Sequence, residues 1–201
     1  MERKEEKQGL AFDIYMIIQD FVWILTVISL LFVFLIRVVG VDGSSMYPTL
    51  KDHDYLLLQS NFTAPQYRQG DIVVLTKKSF SATTPIVKRV IATEGQTIDI
   101  DFASGTVSVD GEVLDEPYIF EPTYLEYGDG MVFPSVVPEG CIFVMGDNRN
   151  HSADSRYAAI GMVDTRCVMG KVLFLAFPGA ETNEYGEVTA NRDFGRIGVI
   201  Q

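Results

Sequence analysis

Thr106-Val-Ser-Val-Asp-Gly-Glu-Val-Leu114 alternates polar and apolar residues and is interrupted by Asp110-Gly111. Asp-Gly is a strong two-residue hairpin signal, because both central positions of a type I′ turn need positive φ. The stretch reads as strand, tight turn, returning strand. The same texture recurs outward from it. Thr97-Ile-Asp-Ile100 lies just before, and Asp71-Ile-Val-Val-Leu75, Pro85-Ile-Val-Lys-Arg-Val-Ile91, Cys141-Ile-Phe-Val-Met145 and Val168–Leu175 lie farther out. These runs favour β-branched residues and are bounded by turn signals. Short strands at close spacing, with no long helical period, predict an all-β domain over residues 42–201. Pro and Gly gather in Glu116–Gly140, so a small, loop-rich β insertion is expected at about 106–140.

Upstream the pattern is different. Phe21-Val-Trp-Ile-Leu-Thr-Val-Ile-Ser-Leu-Leu-Phe-Val-Phe-Leu-Ile36 carries no charge, and continued through Arg37 to Val41 the stretch is 21 residues long. About 20 apolar residues cross a bilayer as a helix, and an arginine near the end can reach the interface. A cleavable leader would have a shorter apolar run of ~7–15 residues ending at a small-x-small site. The expectation is a cytoplasmic segment at 1–20, a transmembrane helix at 21–41 and an extracytoplasmic domain beyond. Arg3, Lys4 and Lys7 precede the run and Arg37 alone flanks its far side, which sets the amino terminus inside.

The chain of 201 residues has a net charge of −11, and residues 42–201 hold 22 of its 27 acids against 12 of its 16 bases. No basic footprint points to nucleic acid. Cys141 and Cys167 are too few for a disulfide scaffold and wrongly spaced for zinc, so free thiols are expected.

Directly after the apolar run comes Val41-Asp-Gly-Ser-Ser-Met-Tyr-Pro-Thr-Leu50. Gly43 and Pro48 bracket a turn that can present a hydroxyl while backbone N–H groups point inward. Chemistry alone leaves Ser44 and Ser45 as alternatives. Neither histidine, His53 or His151, sits in a triad context, so the base has to be sought elsewhere. A lysine serves if burial leaves it neutral. In Ile86-Val-Lys-Arg-Val-Ile91, alternation puts Lys88 on one face with Ile86 and Val90, while Arg89 points the other way. The competing reading is an edge-strand lysine that discourages aggregation. The third polar segment, Met145-Gly-Asp-Asn-Arg-Asn-His-Ser-Ala-Asp-Ser-Arg156, follows a strand and is too polar for a core. Within it Asp154 and Arg156 can brace a loop, and Ser152 can bond a neighbouring amine.

Four segments, Gly43–Leu50, Arg68-Gln-Gly-Asp-Ile-Val-Val74, Val87-Lys-Arg-Val-Ile91 and Gly146–Arg156, resemble the ordered boxes of bacterial type I signal peptidases. They stand in family order behind an anchor in its family place, over roughly residues 20–175. The resemblance implies Ser45 as nucleophile, Lys88 as general base and Ser152 as the hydroxyl orienting that lysine. It further implies Asp154 and Arg156 as a supporting ion pair and Asp147 as a structural acid. Gly43 stands where some relatives have an oxyanion-binding serine, as in Gram-positive-type members, so the oxyanion would rely on backbone N–H groups including that of Ser45. No metal or organic cofactor is implied. The partners implied are exported preproteins with signal peptides, together with membrane lipid. A self-cleaving repressor peptidase also pairs Ser with Lys on a β scaffold, but it carries a DNA-binding part and needs no anchor. An inactive anchored scaffold should have lost Ser45 or Lys88.

Overall fold

The computed structural model describes residues 2–61, 66–80, 84–182 and 188–200. A single α-helix among them, α1 (Glu2–Phe34), precedes a mainly β body. Its stretch Phe12–Leu30 is long and apolar enough to cross a membrane, and none of that stretch is buried against the protein. The apolar run was expected to stay helical to Val41, and here the structure differs. The helix ends at Phe34, and β1 (Ile36–Gly40) pairs antiparallel with β2 (Tyr55–Ser60). Ile36-Arg-Val-Val-Gly40 is rich in β-branched residues, which a strand accommodates better than a helix. Hydropathy, which is blind to that distinction, carried the helix too far.

The chain continues through β3 (Ile72–Leu75), β4 (Ile86–Thr93), β5 (Thr97–Asp101), β6 (Thr106–Val109), β7 (Glu112–Val113), β8 (Ser135–Val136) and β9 (Cys141–Met145). There follow β10 (Val163–Asp164), β11 (Val168–Phe177), β12 (Glu181–Thr182), β13 (Val188–Ala190) and β14 (Gly198–Val199). The main sheet has the order β1-β2-β11-β3-β4-β9-β10, and β14 adds to β11. β5 to β8 form a second sheet in the order β7-β6-β5-β8, and β12 and β13 form a small hairpin. The β-rich insertion thus begins at Thr97, earlier than the expected 106. Its hairpin closes as the Asp-Gly pair predicts: Val109 faces Glu112, and Asp110 and Gly111 have φ of 54° and 84°.

The core lies in three clusters that follow from this layering. Ile98, Ile100, Val107 and Val109 of the insertion pack on Ile91, Ala92, Phe143 and Met145 of the main sheet. Val73, Val90, Val144 and Val163 fill a second cluster. In the third, Met46 and Leu50 sink among Leu56, Leu58, Val74, Val87 and Val172. Burying each such side chain contributes about 1.5–3 kcal/mol, so the segment that follows Ser45 is pinned by its own apolar residues. Cys141 and Cys167 are unbridged thiols.

Candidate active site

The Ser44–Leu50 turn is held at both ends. Tyr47 N–H donates to the Ser44 carbonyl (3.0 Å) and Leu50 N–H to the Met46 carbonyl (2.9 Å), one helix-like turn closed by the buried Met46 and Leu50. Upstream, Gly43 N–H donates to Asp52 Oδ1 at 2.8 Å. Ser45 is thereby presented at the start of a fixed turn, and among the described residues no acceptor takes its N–H.

β4 is buried on both faces, and this brings Lys88 to the serine. Lys88 is 2% exposed. Its Nζ donates to Ser45 Oγ at 2.7 Å and to the Val87 carbonyl at 2.9 Å. Burial lowers its pKa from 10.5 to about 8, outweighing the nearby charges of Asp154 and Asp147, which act in the opposite sense. At the same spacing a neutral amine would accept the serine proton instead of donating. His151 is exposed and His53 pairs with Asp52 at the surface, so neither histidine is placed to replace Lys88.

Around this dyad stand three buried arginine–carboxylate pairs. Arg89 does point away from Lys88, yet into protein: its Nε donates to Asp147 Oδ1 (2.9 Å) and its second terminal nitrogen to Oδ2 (2.8 Å). The Tyr118 ring centroid lies 3.9 Å from the guanidinium carbon. Thr49 Oγ donates to the same Asp147 carboxylate at 2.6 Å, tying the Ser44–Leu50 turn to the Gly146–Arg156 segment. Asp154 and Arg156 form the expected pair, with two hydrogen bonds of 2.9 Å each, and Asp154 also accepts from Gly146 N–H at 3.0 Å. Arg149 and Glu116 form the third pair, with Thr123 as a further acceptor at 3.0 Å. Buried charges persist only when paired and hydrogen-bonded, and these are.

Ser152 Oγ is buried and has no hydrogen-bond partner among the described residues, so the expected bond with Lys88 is not made in this structure. The hydroxyl lies against Gly146, where an added Cβ would collide with both Ser152 Oγ and the Ser45 carbonyl. Glycine is required there by close approach.

Sequence reasoning missed Asn148, Thr49, Arg149 and Glu116. Asn148 N–H donates to the Ser45 carbonyl and its Nδ2 to the Ser44 carbonyl, both at 3.1 Å. From the far end of the chain, Arg196 grips the fully buried Asp54 with bonds of 3.0 and 2.7 Å and reaches the Thr49 carbonyl at 3.3 Å. Among the described residues no group of three or more His, Cys, Asp or Glu is placed to hold a metal.

A buried lysine against a turn serine is an arrangement suited to acyl transfer, and known proteins resemble the chain over the same residues. The model of the family "Signal peptidase, peptidase S26" matches residues 14–177. A probable signal peptidase I-1 of Synechocystis is 36% identical over 74% of this chain and 75% of its own. Signal peptidase I of Bacillus licheniformis is 34% identical over 69% of this chain and 75% of its own. A solved signal peptidase I from Enterococcus faecalis, 28% identical, covers 53% of this chain and 97% of its own, with a TM-score of 0.42. With two thirds or more of each curated relative covered, and all three polar segments inside the matched range, the chain belongs to the signal peptidase family, peptidase S26.

Proposed function

We propose that this protein is a membrane-anchored endopeptidase that removes signal peptides from exported preproteins, with Ser45 as nucleophile and Lys88 as general base. The observation that carries the reading is the 2.7 Å approach of Lys88 Nζ to Ser45 Oγ, with the amine buried. Neutral Lys88 takes the Ser45 proton as Oγ adds to the scissile carbonyl carbon. The resulting oxyanion is met by the Ser45 N–H, and one such donor typically contributes about 10²–10³ in rate. Protonated Lys88 then hands its proton to the leaving amine, and the acyl-enzyme forms. That amine is the new amino terminus of the mature chain, and water, deprotonated by the same Lys88, then hydrolyses the ester and releases the signal peptide from Ser45. Ser152, by family resemblance, takes a bond from Lys88 during this cycle, and its unpartnered hydroxyl leaves it free to do so. Asp147 and the Asp154–Arg156 pair hold the polar segment against the turn.

The helix anchors the protein in lipid with the amino terminus inside and residues 42–201 on the outer face, where translocated preproteins emerge. Substrate binds as an added strand with small side chains one and three residues before the cut, as the resemblance implies.

Purified protein incubated with a preprotein tests the assignment. Ser45→Ala should abolish cleavage without unfolding the protein, and Ser44→Ala should retain most activity. Swapped outcomes would refute the choice of nucleophile.

A further inference from the structure

Asn148 makes a pincer on the nucleophile turn. Its backbone N–H holds the Ser45 carbonyl and its side-chain Nδ2 holds the Ser44 carbonyl, each at 3.1 Å. The residue is 7% exposed, and Asn148 Oδ1 has no donor among the described residues. Facing a carbonyl, the amide has to present nitrogen, so the network fixes its orientation. A buried acceptor is left without a protein partner in consequence, a feature that calls for an explanation.

The Ser44 carbonyl shares one planar peptide group with the Ser45 N–H, and that bond is not among the cis ones. In a trans peptide the C=O and N–H bonds point in opposite directions and their dipoles add. A donor fixed on the Ser44 oxygen therefore fixes the direction of the Ser45 N–H. A hydrogen bond onto the carbonyl also polarises the peptide and strengthens its N–H as a donor. Tyr47 N–H adds a second bond to the same oxygen. We infer that the Asn148 side chain is a positioning residue for the oxyanion: it aims and polarises the Ser44–Ser45 peptide so that the Ser45 N–H meets the negative charge as it develops. Asn148 has this role only if Ser45 is the nucleophile.

The test compares the full-length enzyme with Asn148→Ala, which removes the donor, and Asn148→Asp, which sets a carboxylate oxygen against the Ser44 carbonyl. Cleavage is measured on the pH plateau above the Lys88 titration, so that a change in local charge does not register as lost base. Turnover should fall about 10- to 100-fold, a part of what loss of a whole oxyanion donor removes, with KM changed less than about 2-fold. The distinguishing readout is inhibitor affinity. A peptide aldehyde takes Ser45 Oγ onto its carbonyl carbon, the serine proton passing to Lys88, and places an oxyanion in the hole. The same peptide ending in a primary alcohol forms no such anion. Aldehyde affinity should fall by the same factor as turnover while alcohol affinity stays unchanged. An equal loss of both affinities would make Asn148 structural, and unchanged turnover in Asn148→Ala would also overturn the inference. If Asn148→Asp fails to fold, judged by its melting transition, Asn148→Ala alone decides. Ser45→Ala run in parallel separates the levels: if that variant still cleaves, the nucleophile assignment itself has failed. A dead Ser45→Ala beside a fully active Asn148→Ala leaves the dyad standing and removes Asn148.

Discussion

Lys88→Met should make the protein more stable at neutral pH while destroying activity. Burial holds the Lys88 amine down at about 8 against an ordinary 10.5. In the unfolded chain the amine binds its proton up to 10.5, whereas in the folded chain it has released it above 8. Stability therefore rises with pH across that window, and below it the native state carries the full penalty of a buried charge. Each pKa unit corresponds to about 1.4 kcal/mol, so the penalty at pH 7 is about 3 kcal/mol. Methionine is similar in length and apolar, and the side chain is nearly fully buried, so solvent screening does not reduce this figure much. The substitution abandons the bonds to the Ser45 hydroxyl and the Val87 carbonyl, which together take back about 2 kcal/mol. A net gain of about 1 kcal/mol remains, a rise in Tm of roughly 2–4 °C for a chain of this size. At pH 10 the wild-type penalty has shrunk to about 1 kcal/mol and the variant should be the less stable of the two. Thermal unfolding of both full-length proteins in one detergent, at pH 7, 8.5 and 10, measures this. A Lys88→Met protein no more stable than wild type at pH 7, or a gain that does not decline with pH, would refute the depressed amine.

Two further outcomes follow from the same geometry. Only the neutral amine can accept a proton, so kcat/KM should climb tenfold per unit below an apparent pKa of about 8 and level off above it; Lys88→Arg, which stays protonated, should be inactive throughout, as a pH–rate series would show. Gly146→Ala would press a methyl group into the Ser45 carbonyl and Ser152 Oγ, and a misplacement of about 1 Å can reduce turnover by roughly 10²-fold, read as lost kcat in a variant that still folds; wild-type turnover would show that the turn has room to move.

Much of this could be read from the chain, and the reasons differ from residue to residue. The Asp110-Gly111 hairpin was legible because its cause is local: two adjacent residues tolerate positive φ. Lys88 was legible as a candidate because strand alternation put it beside aliphatic neighbours. Its partner serine came from resemblance, since nothing local separates Ser44 from Ser45. The burial of Arg89 was not foreseen. It depends on Asp147 lying across it, 58 positions away, and on Tyr118 covering the guanidinium. Asn148 and the Arg149–Glu116 pair escaped for the same reason, because a polar loop residue looks alike in sequence whether solvent or another loop satisfies it. The helix end was misjudged at Phe34, because what ends it is the pairing of Ile36–Gly40 with Tyr55–Ser60, a strand farther along the chain.

The partners that hold the Ser44–Leu50 turn come from far along the chain, and this sets an order of events during synthesis. Thr49 waits for Asp147 across 98 positions, Ser44 for Asn148 across 104, and Asp54 for Arg196 across 142. The apolar helix closes through bonds only four residues apart and forms within microseconds of being made. At ribosomal speeds of ~5–20 residues per second, the hundred residues from Ser44 to Asn148 take roughly 5–20 s to appear. Throughout that interval the helix is ready for the bilayer, while the serine that follows it is an ordinary hydroxyl on an untethered loop. On the proposed function the protein is thus anchored first and armed afterwards, with the interval between the two fixed by how far along the chain the partners lie.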